Sequence, residues 1–592
     1  MSSLPMHCAA LSALVAPPID EIERVEAFIA GGGGSVRREA VRREAVTVAA
    51  VSGGVRLECA ALAYHGMAEH IEDCPRVVFL EVVPAALDLP TSWRDWERLE
   101  AEITNGPVAM EIELTVSGSR SRLLEKRAFA PGETATLAVA LADIGLIQGN
   151  MPTYEPQSIR LAFFLPEGGP AGSCDLTRLA LVGHRVHGAV LDRWGQRIHT
   201  DWPGKIRSDS DLIAVRDAET AMLQDIKPPA ERGRYGGWTG GPRFAASGFF
   251  RVEQDAAGRW WYADPEGLPF WSTGPTCIRL GDATSTRGRE ELFAELPPLP
   301  EDGMVNFYRV NALRKYGSEQ AWMARQRERL HSWGSNTVAN WSDLRVAEGG
   351  GIAYVRSLSS RTTNPLARPH LLPDIDTPGW EEALRAQITA SVAPDDPWLI
   401  GYFVDNELPW FELDPTEAER YAEKYFSTIR RVLKEADPNH LYLGCRFVRN
   451  MPARIIPEIA GRYVDVLSVN AYSLIPLREQ FDEWYAAAGK PIQIGEHQFA
   501  LRDPRGPITP WMALTAPERQ RAVCGYSEAA AHLPYCIGTH WFQFDDQPGT
   551  GRPSNGENML IGVVDITDTP YPHMVEAFRE ISARCYGWHG EG

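Results

Sequence analysis

The chain has 592 residues and a mass of 65.6 kDa, which at about 150 residues per domain suggests about four domains, or fewer if one is a large barrel. Apolar residues make up 44% and charged residues 23%, a globular composition that excludes a disordered, collagenous or coiled-coil chain. Lysine and arginine total 59 against 78 for aspartate and glutamate, a net charge of −19, and such a surface repels phosphate backbones and anionic lipid heads, arguing against nucleic-acid and membrane partners.

At the N-terminal end, the apolar stretch from Cys8 to Ala16 is short and has no Lys or Arg before it. No run approaches the ~18 to 20 apolar residues of a membrane span. A cytoplasmic chain is the expectation, with a secreted or periplasmic one left open. The nine cysteines are odd in number, scattered and without a CxxC pair, which fits reduced buried thiols. Gly31 to Gly34 break the chain, and the pentad VRREA then occurs twice, at Val36 to Ala40 and Val41 to Ala45. A five-residue period fits neither helix nor strand, so residues 1–45 are read as an N-terminal segment with this repeat on its surface.

From 46 to 186 short alternating runs (Val77 to Val83, Ala109 to Val116, Ala135 to Leu141, Ser158 to Phe164) are separated by Gly, Pro and Asn turns. This spacing predicts an antiparallel β-sandwich of jelly-roll type. Such a module binds carbohydrate or serves as a lid or oligomer surface, and the sequence leaves both open. Residues 187–265, rich in Gly, Trp and Arg, read as an irregular connector.

From 266 to 592 strand and helix alternate. Candidate strands are Pro269 to Thr273, Asn336 to Asn340, Ile352 to Val355, Leu399 to Val404, Leu441 to Cys445, Val464 to Val469, Pro491 to Gly495 and Ile537 to Phe544. Asp414-Pro415-Thr416-Glu417 and Thr515-Ala516-Pro517-Glu518 carry helix-start signals, and Thr377-Pro378 places Pro at a first helical position. Gly489 closes a helix from about Leu477, and a last helix spans about 572 to 584. Eight such alternations predict an α/β fold, a (β/α)8 TIM barrel, with a doubly wound sheet as the alternative; that alternative lacks its usual Gly-rich phosphate turn.

In a barrel the active site lies at the C-terminal ends of the strands. The fourth strand ends in Asp405-Asn406-Glu407 and the seventh in Glu496. Two glutamates ending apolar strands half a barrel apart are what a retaining glycosidase needs, with carboxyl groups about 5 to 5.5 Å apart. An Asn beside the acid is suited to the sugar 2-hydroxyl. The eighteen Trp and eighteen Tyr add a weaker hint, since sugars stack on flat rings, although most such rings are core.

These residues resemble those of glycoside hydrolase clan A. More narrowly, Gly401 to Leu408 (GYFVDNEL), Asn336 to Asp343 (NTVANWSD), Gly248 to Val252 (GFFRV) and Trp202 to Lys205 (WPGK) resemble glycoside hydrolase family 50, the β-agarases, over roughly residues 187–592. The departure is His497-Gln498-Phe499-Ala500, where that family's pattern has an aromatic residue and then His-Phe-Gly after the nucleophile. The resemblance implies Glu407 as acid and base, Glu496 as nucleophile, and Tyr472 as the tyrosine that hydrogen-bonds it. Asn406, Trp541, Asn340, Trp341, Asp343, His497 and His540 are the candidate substrate-binding residues, Trp541 as a sugar-stacking floor. Strand alternation also allows the His497 side chain to point away from the sugar.

His184 and His187 form no zinc motif, and no HExxH, GxSxG or P-loop pattern occurs, so no metal and no cofactor is expected. The resulting reading is a retaining β-glycoside hydrolase acting by double displacement on agarose-type galactan or its oligosaccharides. The alternatives are an exo-acting β-galactosidase or β-glucosidase on other oligosaccharides, and a non-catalytic carbohydrate-binding protein, which would be expected to have lost one glutamate. The implied partner is an oligosaccharide or polysaccharide; a homo-oligomer stays open.

Overall fold

The structure, a computed structural model, describes residues 6–11, 41–44, 46–59, 77–117, 122–141, 155–165, 170–185, 188–226, 229–347, 351–362, 372–410, 413–448, 455–503, 505–506 and 514–591. The Gly31 to Gly34 break, the first VRREA copy, Cys74 and His187 lie outside these residues. The second copy is regular where neither helix nor strand was expected, because Val41–Glu44 is an edge strand paired with Val77–Val82.

The N-terminal part holds two antiparallel sheets. One runs Val46–Val51, Gly54–Cys59, Gly172–His184, Trp96–Asn105 and Thr134–Ala140, with Met6–Cys8 also paired to Gly172–His184; the other runs Val41–Glu44, Val77–Val82, Ser158–Phe164, Met110–Ser117 and Arg122–Phe129. Residues alternate between buried and outward along Gly54–Cys59 and Trp96–Asn105, as expected of sheets with one face on a core. Leu57, Leu99 and Leu176 of the first sheet meet Leu80, Ile112 and Phe163 of the second in one hydrophobic cluster.

The connector is more regular than its composition suggests. Asp209–Asp225 is a helix started by a capping box, in which Ser208 and Asp211 satisfy each other's backbone N–H groups. Arg251–Gln254 and Trp260–Ala263 form a hairpin. None of the Gly and Trp that suggested irregularity lies within the helix, and Trp260 and Trp261 are part of the hairpin.

The remainder is built on two parallel sheets. One has the order Ser272–Pro275, Cys536–Trp541, Ile492–His497, Leu467–Asn470, Phe447–Val448; the other has the order Thr337–Val338, Ala353–Leu358, Leu399–Val404, Leu441–Tyr442. Their edges are also bonded: the Asn336 N–H donates to Thr273 O (3.0 Å), the Cys277 N–H to Asn340 O (2.9 Å) and the Asp465 N–H to Tyr442 O (2.9 Å). Every residue of Leu399–Val404 is buried, which explains why this strand reads as an unbroken apolar run rather than an alternating one.

Helices follow the strands. Asp414 caps Pro415–Ala436 and a Thr515–Glu518 capping box opens Ala516–Ala531, as the sequence signals predict. Gly489 ends Arg478–Ala488 in a left-handed conformation, and the last helix is longer than expected, Pro572–Glu591. Thr377-Pro378 does not begin a helix; the helix is Trp380–Thr389, capped by Gly379. Phe307–Tyr316 and Glu319–Trp333 were missed. In the latter, buried Arg325, Gln326 and Arg329 occupy positions that a hydrophobic period assigns to apolar residues.

Arg329 explains its own burial. Its guanidinium forks onto Glu219 of the connector helix (2.7 and 2.8 Å) and reaches Asp568 (2.6 Å), which also accepts from Tyr308 and Tyr316. A buried charge needs such partners, and this set fastens the connector to the helical layer. Among the described residues no helix is long and apolar enough to cross a membrane.

Candidate active site

Close after several parallel strands, or in the case of Arg446 between Leu441–Tyr442 and Phe447–Val448, a residue with a side chain takes the left-handed backbone region: Cys277 (φ 58°), Trp341 (63°), Asp405 (62°), Glu407 (49°) and Arg446 (55°). Each such position costs on the order of 1–3 kcal/mol, and such residues concentrate at functional sites.

After Leu399–Val404 the chain divides the labour of three polar residues. Asp405 turns back into the protein and accepts from the Ser360 N–H (2.9 Å), the Ser360 hydroxyl and the Tyr425 hydroxyl (2.8 Å). It anchors the strand end. Asn406 and Glu407 remain half-buried. Asn406 Oδ1 accepts from Arg446 Nε (2.8 Å) and Asn470 Nδ2 (3.3 Å), and Glu407 Oε1 accepts from the same Asn470 Nδ2 (2.7 Å).

Glu496, on Ile492–His497, is 3% exposed. Its Oε1 accepts from the Trp341 indole N–H (3.1 Å) and from Arg446 Nη2, while Oε2 accepts from the Tyr472 hydroxyl. Gly495 permits this packing, since a Cβ there would sit 2.9 Å from Asn470 Oδ1 and 3.0 Å from Arg446 Nη1.

The two carboxyl groups therefore lie in unequal surroundings. Burial, followed by the charge of Glu496, lifts the Glu407 carboxyl from 4.5 to about 7, against the opposing hydrogen bond from Asn470 and the charge of Arg446. Glu496 is met instead by a guanidinium, an indole N–H and a phenol hydroxyl. Burial and the Glu496 charge push the Tyr472 phenol well above its ordinary value, so it stays a neutral donor.

The other predicted residues divide. Trp341 is 36% exposed, so its ring is reachable beside Glu496. Trp541 is a correction: it is 1% exposed, donates to Ile561 O (2.9 Å) and packs against His497 and Phe499, leaving no open face for a sugar. His497 points away from the carboxylates' side of the strand, stacked on Tyr526 with ring centroids 4.3 Å apart, and burial lowers it to about 3. His540 is equally buried, bonded to the Ser272 hydroxyl (2.9 Å) and lowered to about 3 by burial and by Arg446. Asp343 is drawn to Arg345 (2.6 Å). Asn340 is 1% exposed, with neither amide atom hydrogen-bonded among the described residues.

Arg446 and Asn470 escaped the sequence reading as site residues. The available signal was position, because each stands at the C-terminal end of an apolar strand segment, as Glu407 and Glu496 do.

Among the described residues no group of three or more His, Cys, Asp and Glu is arranged to hold a metal ion. A small cavity of about 30 Å³ lined by Trp202, Arg505, Asp546 and Tyr571, among others, includes neither glutamate and has room for one or two waters.

No family model matches the chain. It is 28% identical over 530 residues to beta-agarase B of Vibrio sp. (strain JT0107), covering 67% of this chain and 54% of that protein. To beta-agarase A of the same organism it is 26% identical over 529 residues, covering 68% and 52%. The chain thus spans about half the length of these curated relatives. Among solved structures, an agarase, AgWH50C, superposes with a TM-score of 0.68 at 23% identity, covering 94% of this chain and 98% of that one. An exo-beta-agarase gives 0.68 at 20% identity with the same coverage, and PfGH50B gives 0.66 at 20%, covering 93% and 98%. These structures share its fold, and the sequence likeness to the two Vibrio agarases extends over about two thirds of the chain.

Proposed function

We propose that the chain is a retaining β-glycoside hydrolase that cleaves β-galactosidic linkages of agarose-type galactan or its oligosaccharides. The two parallel sheets are read as arcs of one (β/α)8 barrel over residues 266–592, a reading supported by the hydrogen bonds at both pairs of sheet edges. The two antiparallel sheets, with a hydrophobic cluster of their own, are read as a carbohydrate-binding-like module over 46–186, preceded by the segment 1–45 and followed by the connector 187–265.

The observation that carries the reading is the unequal treatment of two carboxyl groups at strand ends. Glu407, lifted to about 7, keeps its proton well above the ordinary carboxylate range and gives it to the departing glycosidic oxygen. Glu496, held by its three donors, attacks the anomeric carbon. Water then enters from the side of Glu407, which removes its proton, and a second displacement at the same carbon restores the original configuration. Asn406 is placed for the sugar 2-hydroxyl and the exposed Trp341 ring for stacking. The names of the two Vibrio relatives supply the substrate class.

The test is a panel of agarose-derived oligosaccharides and other β-galactosides and β-glucosides, with product anomers followed by NMR. Agarose oligosaccharides cleaved with the β-anomer appearing first support the proposal. First appearance of the α-anomer overturns retention, and turnover confined to other glycosides overturns the substrate class.

A further inference from the structure

The hydrogen bonds around Glu496 distinguish its two oxygens. Oε1 is bound by a buried guanidinium and by an indole N–H 3.1 Å away; Oε2 meets the Tyr472 hydroxyl. The guanidinium belongs to Arg446, which is 0% exposed and also donates from Nη2 to Gly495 O (3.2 Å) and from Nε to Asn406 Oδ1 (2.8 Å). It lies over the Phe403 ring, 4.9 Å from the centroid. One side chain therefore touches both the carboxylate that ends one strand and the amide that precedes Glu407 on another.

We propose that Arg446 is the positioning residue of this site, holding Oε1 as the spectator oxygen so that Oε2 attacks, and turning the Asn406 amide so that its N–H faces the sugar. The proposal rests on the glycosidase reading above and deepens it. In the first displacement a lone pair on Oε2 forms the bond to the anomeric carbon. The bond from that carbon to the leaving oxygen breaks with its electron pair, and that oxygen takes the proton of Glu407. Glu496 becomes a neutral ester whose carbonyl oxygen is Oε1, still accepting from Arg446 and Trp341. An oxygen with two donors, one of them cationic, is the less nucleophilic of the pair and the better carbonyl of an ester.

The second arm settles the amide orientation. Asn406 Oδ1 already accepts from Arg446 Nε and Asn470 Nδ2. Its Nδ2 is then the end presented to substrate, and the 2-hydroxyl is recognised as an acceptor. A lysine in place of Arg446 retains a charge but not a fork able to serve Glu496 and Asn406 together.

Two variants separate these effects. Arg446→Gln removes the cation that opposes the raised Glu407 carboxyl and that Glu496 Oε1 rests on, so the limbs of the pH profile of kcat/KM move upward. Arg446→Lys leaves the limbs near their original places but flattens the preference for a 2-hydroxyl substrate over its 2-deoxy analogue, which the wild type shows strongly. A folded Arg446→Gln with unmoved limbs overturns the proposal. So does an Arg446→Lys that discriminates against the 2-deoxy sugar as the wild type does, and this arm decides the matter if Arg446→Gln does not fold. Carboxyl 13C NMR titration of wild type and Arg446→Gln, with the Glu496 signal identified by its absence in Glu496→Gln, reads the same shift without turnover. An inactive wild type in which that carboxyl still responds to Arg446 defeats the glycosidase reading alone; an active wild type in which it does not respond defeats this one.

Discussion

The two antiparallel sheets and the ends of the parallel strands bury similar apolar residues, but they treat the turns at their strand ends differently. In the antiparallel sheets, Gly53 and Gly132 take left-handed positions, where the absence of a Cβ makes the conformation cheap. A buried polar group such as Asn105 is consumed by backbone carbonyls, donating to Val108 O and Ala130 O at 2.9 Å each. At the parallel strand ends the same backbone region holds Gly444 but also Cys277, Trp341, Asp405, Glu407 and Arg446, against Asp88 alone among the described non-glycine residues of the antiparallel part. Where a side chain is kept at a position that glycine would fill more cheaply, the side chain has a task that outweighs the strain.

The sharpest test of that contrast removes the proposed nucleophile. Glu496→Ala is expected to lose activity by several orders of magnitude, because no other described carboxylate shares its set of Trp341, Arg446 and Tyr472 donors. Azide should restore turnover with an activated substrate and give the glycosyl azide of opposite configuration, detectable by NMR. Rescue without change of anomer would move the nucleophile elsewhere.

Glu407→Gln is expected to lower kcat/KM by about 10²- to 10⁴-fold for substrates with basic leaving groups and far less for activated ones. In the wild type, kcat/KM should fall as pH rises through about 7, where Glu407 gives up its proton. The stability sign follows from the same shift. A carboxyl group raised from 4.5 to about 7 keeps more protons folded than unfolded in that interval, so it costs stability increasingly as pH rises through it and fully above it. The variant should therefore melt higher than wild type at pH 8 and no higher at pH 4. A difference of the opposite sign would show that Glu407 is stabilised as an anion.

The antiparallel sheets should respond in the other currency. Leu99 is 0% exposed in their shared cluster, so Leu99→Ala should cost about 2–5 kcal/mol of stability by denaturant melting. Its kcat/KM on a soluble oligosaccharide should stay at the wild-type value at a temperature where the protein is folded. A loss of turnover in the folded variant would mean that these sheets shape the site.

The same contrast explains what could be read from sequence. Leu399–Val404 was legible to the residue because a parallel strand buried on both faces is a continuous apolar run, and Glu407 and Glu496 stood out as polar residues ending such runs. Val77–Val82 was legible as a short apolar run and Ser158–Phe164 by the period-two placing of Ile159, Leu161 and Phe163. The helix Asp209–Asp225 was hidden by a connector whose flanks are rich in Gly and Trp. Glu319–Trp333 was hidden by Arg329, whose burial depends on Glu219, 110 residues earlier, and Asp568, 239 residues later. Trp541 illustrates a limit of position alone: ending the right strand does not fix which way an indole faces, and tertiary packing turned this one inward. Arg446 was missed for the related reason that its importance lies in partners on two other strands.

The finest distinction concerns Trp341, which has two separable properties. Its exposed face is suited to a sugar ring, and its indole N–H donates to Glu496 Oε1 at 3.1 Å. Trp341→Phe keeps an aromatic face and removes the donor. A hydrogen bond to a charged group is worth about 1.5–3 kcal/mol, but Arg446 continues to hold the same oxygen, so the loss should lie near the lower end, about tenfold in kcat/KM. Because the bond favours the ionised carboxylate, its removal should also move the acidic limb of the profile to higher pH. Trp341→Ala should then add a weakening of KM that Trp341→Phe lacks, since it removes the stacking face as well. If the two variants behave alike, with KM raised and the acidic limb unmoved, Trp341 acts only as a surface for the sugar. Its left-handed backbone would then have no explanation in the hydrogen bond to Glu496.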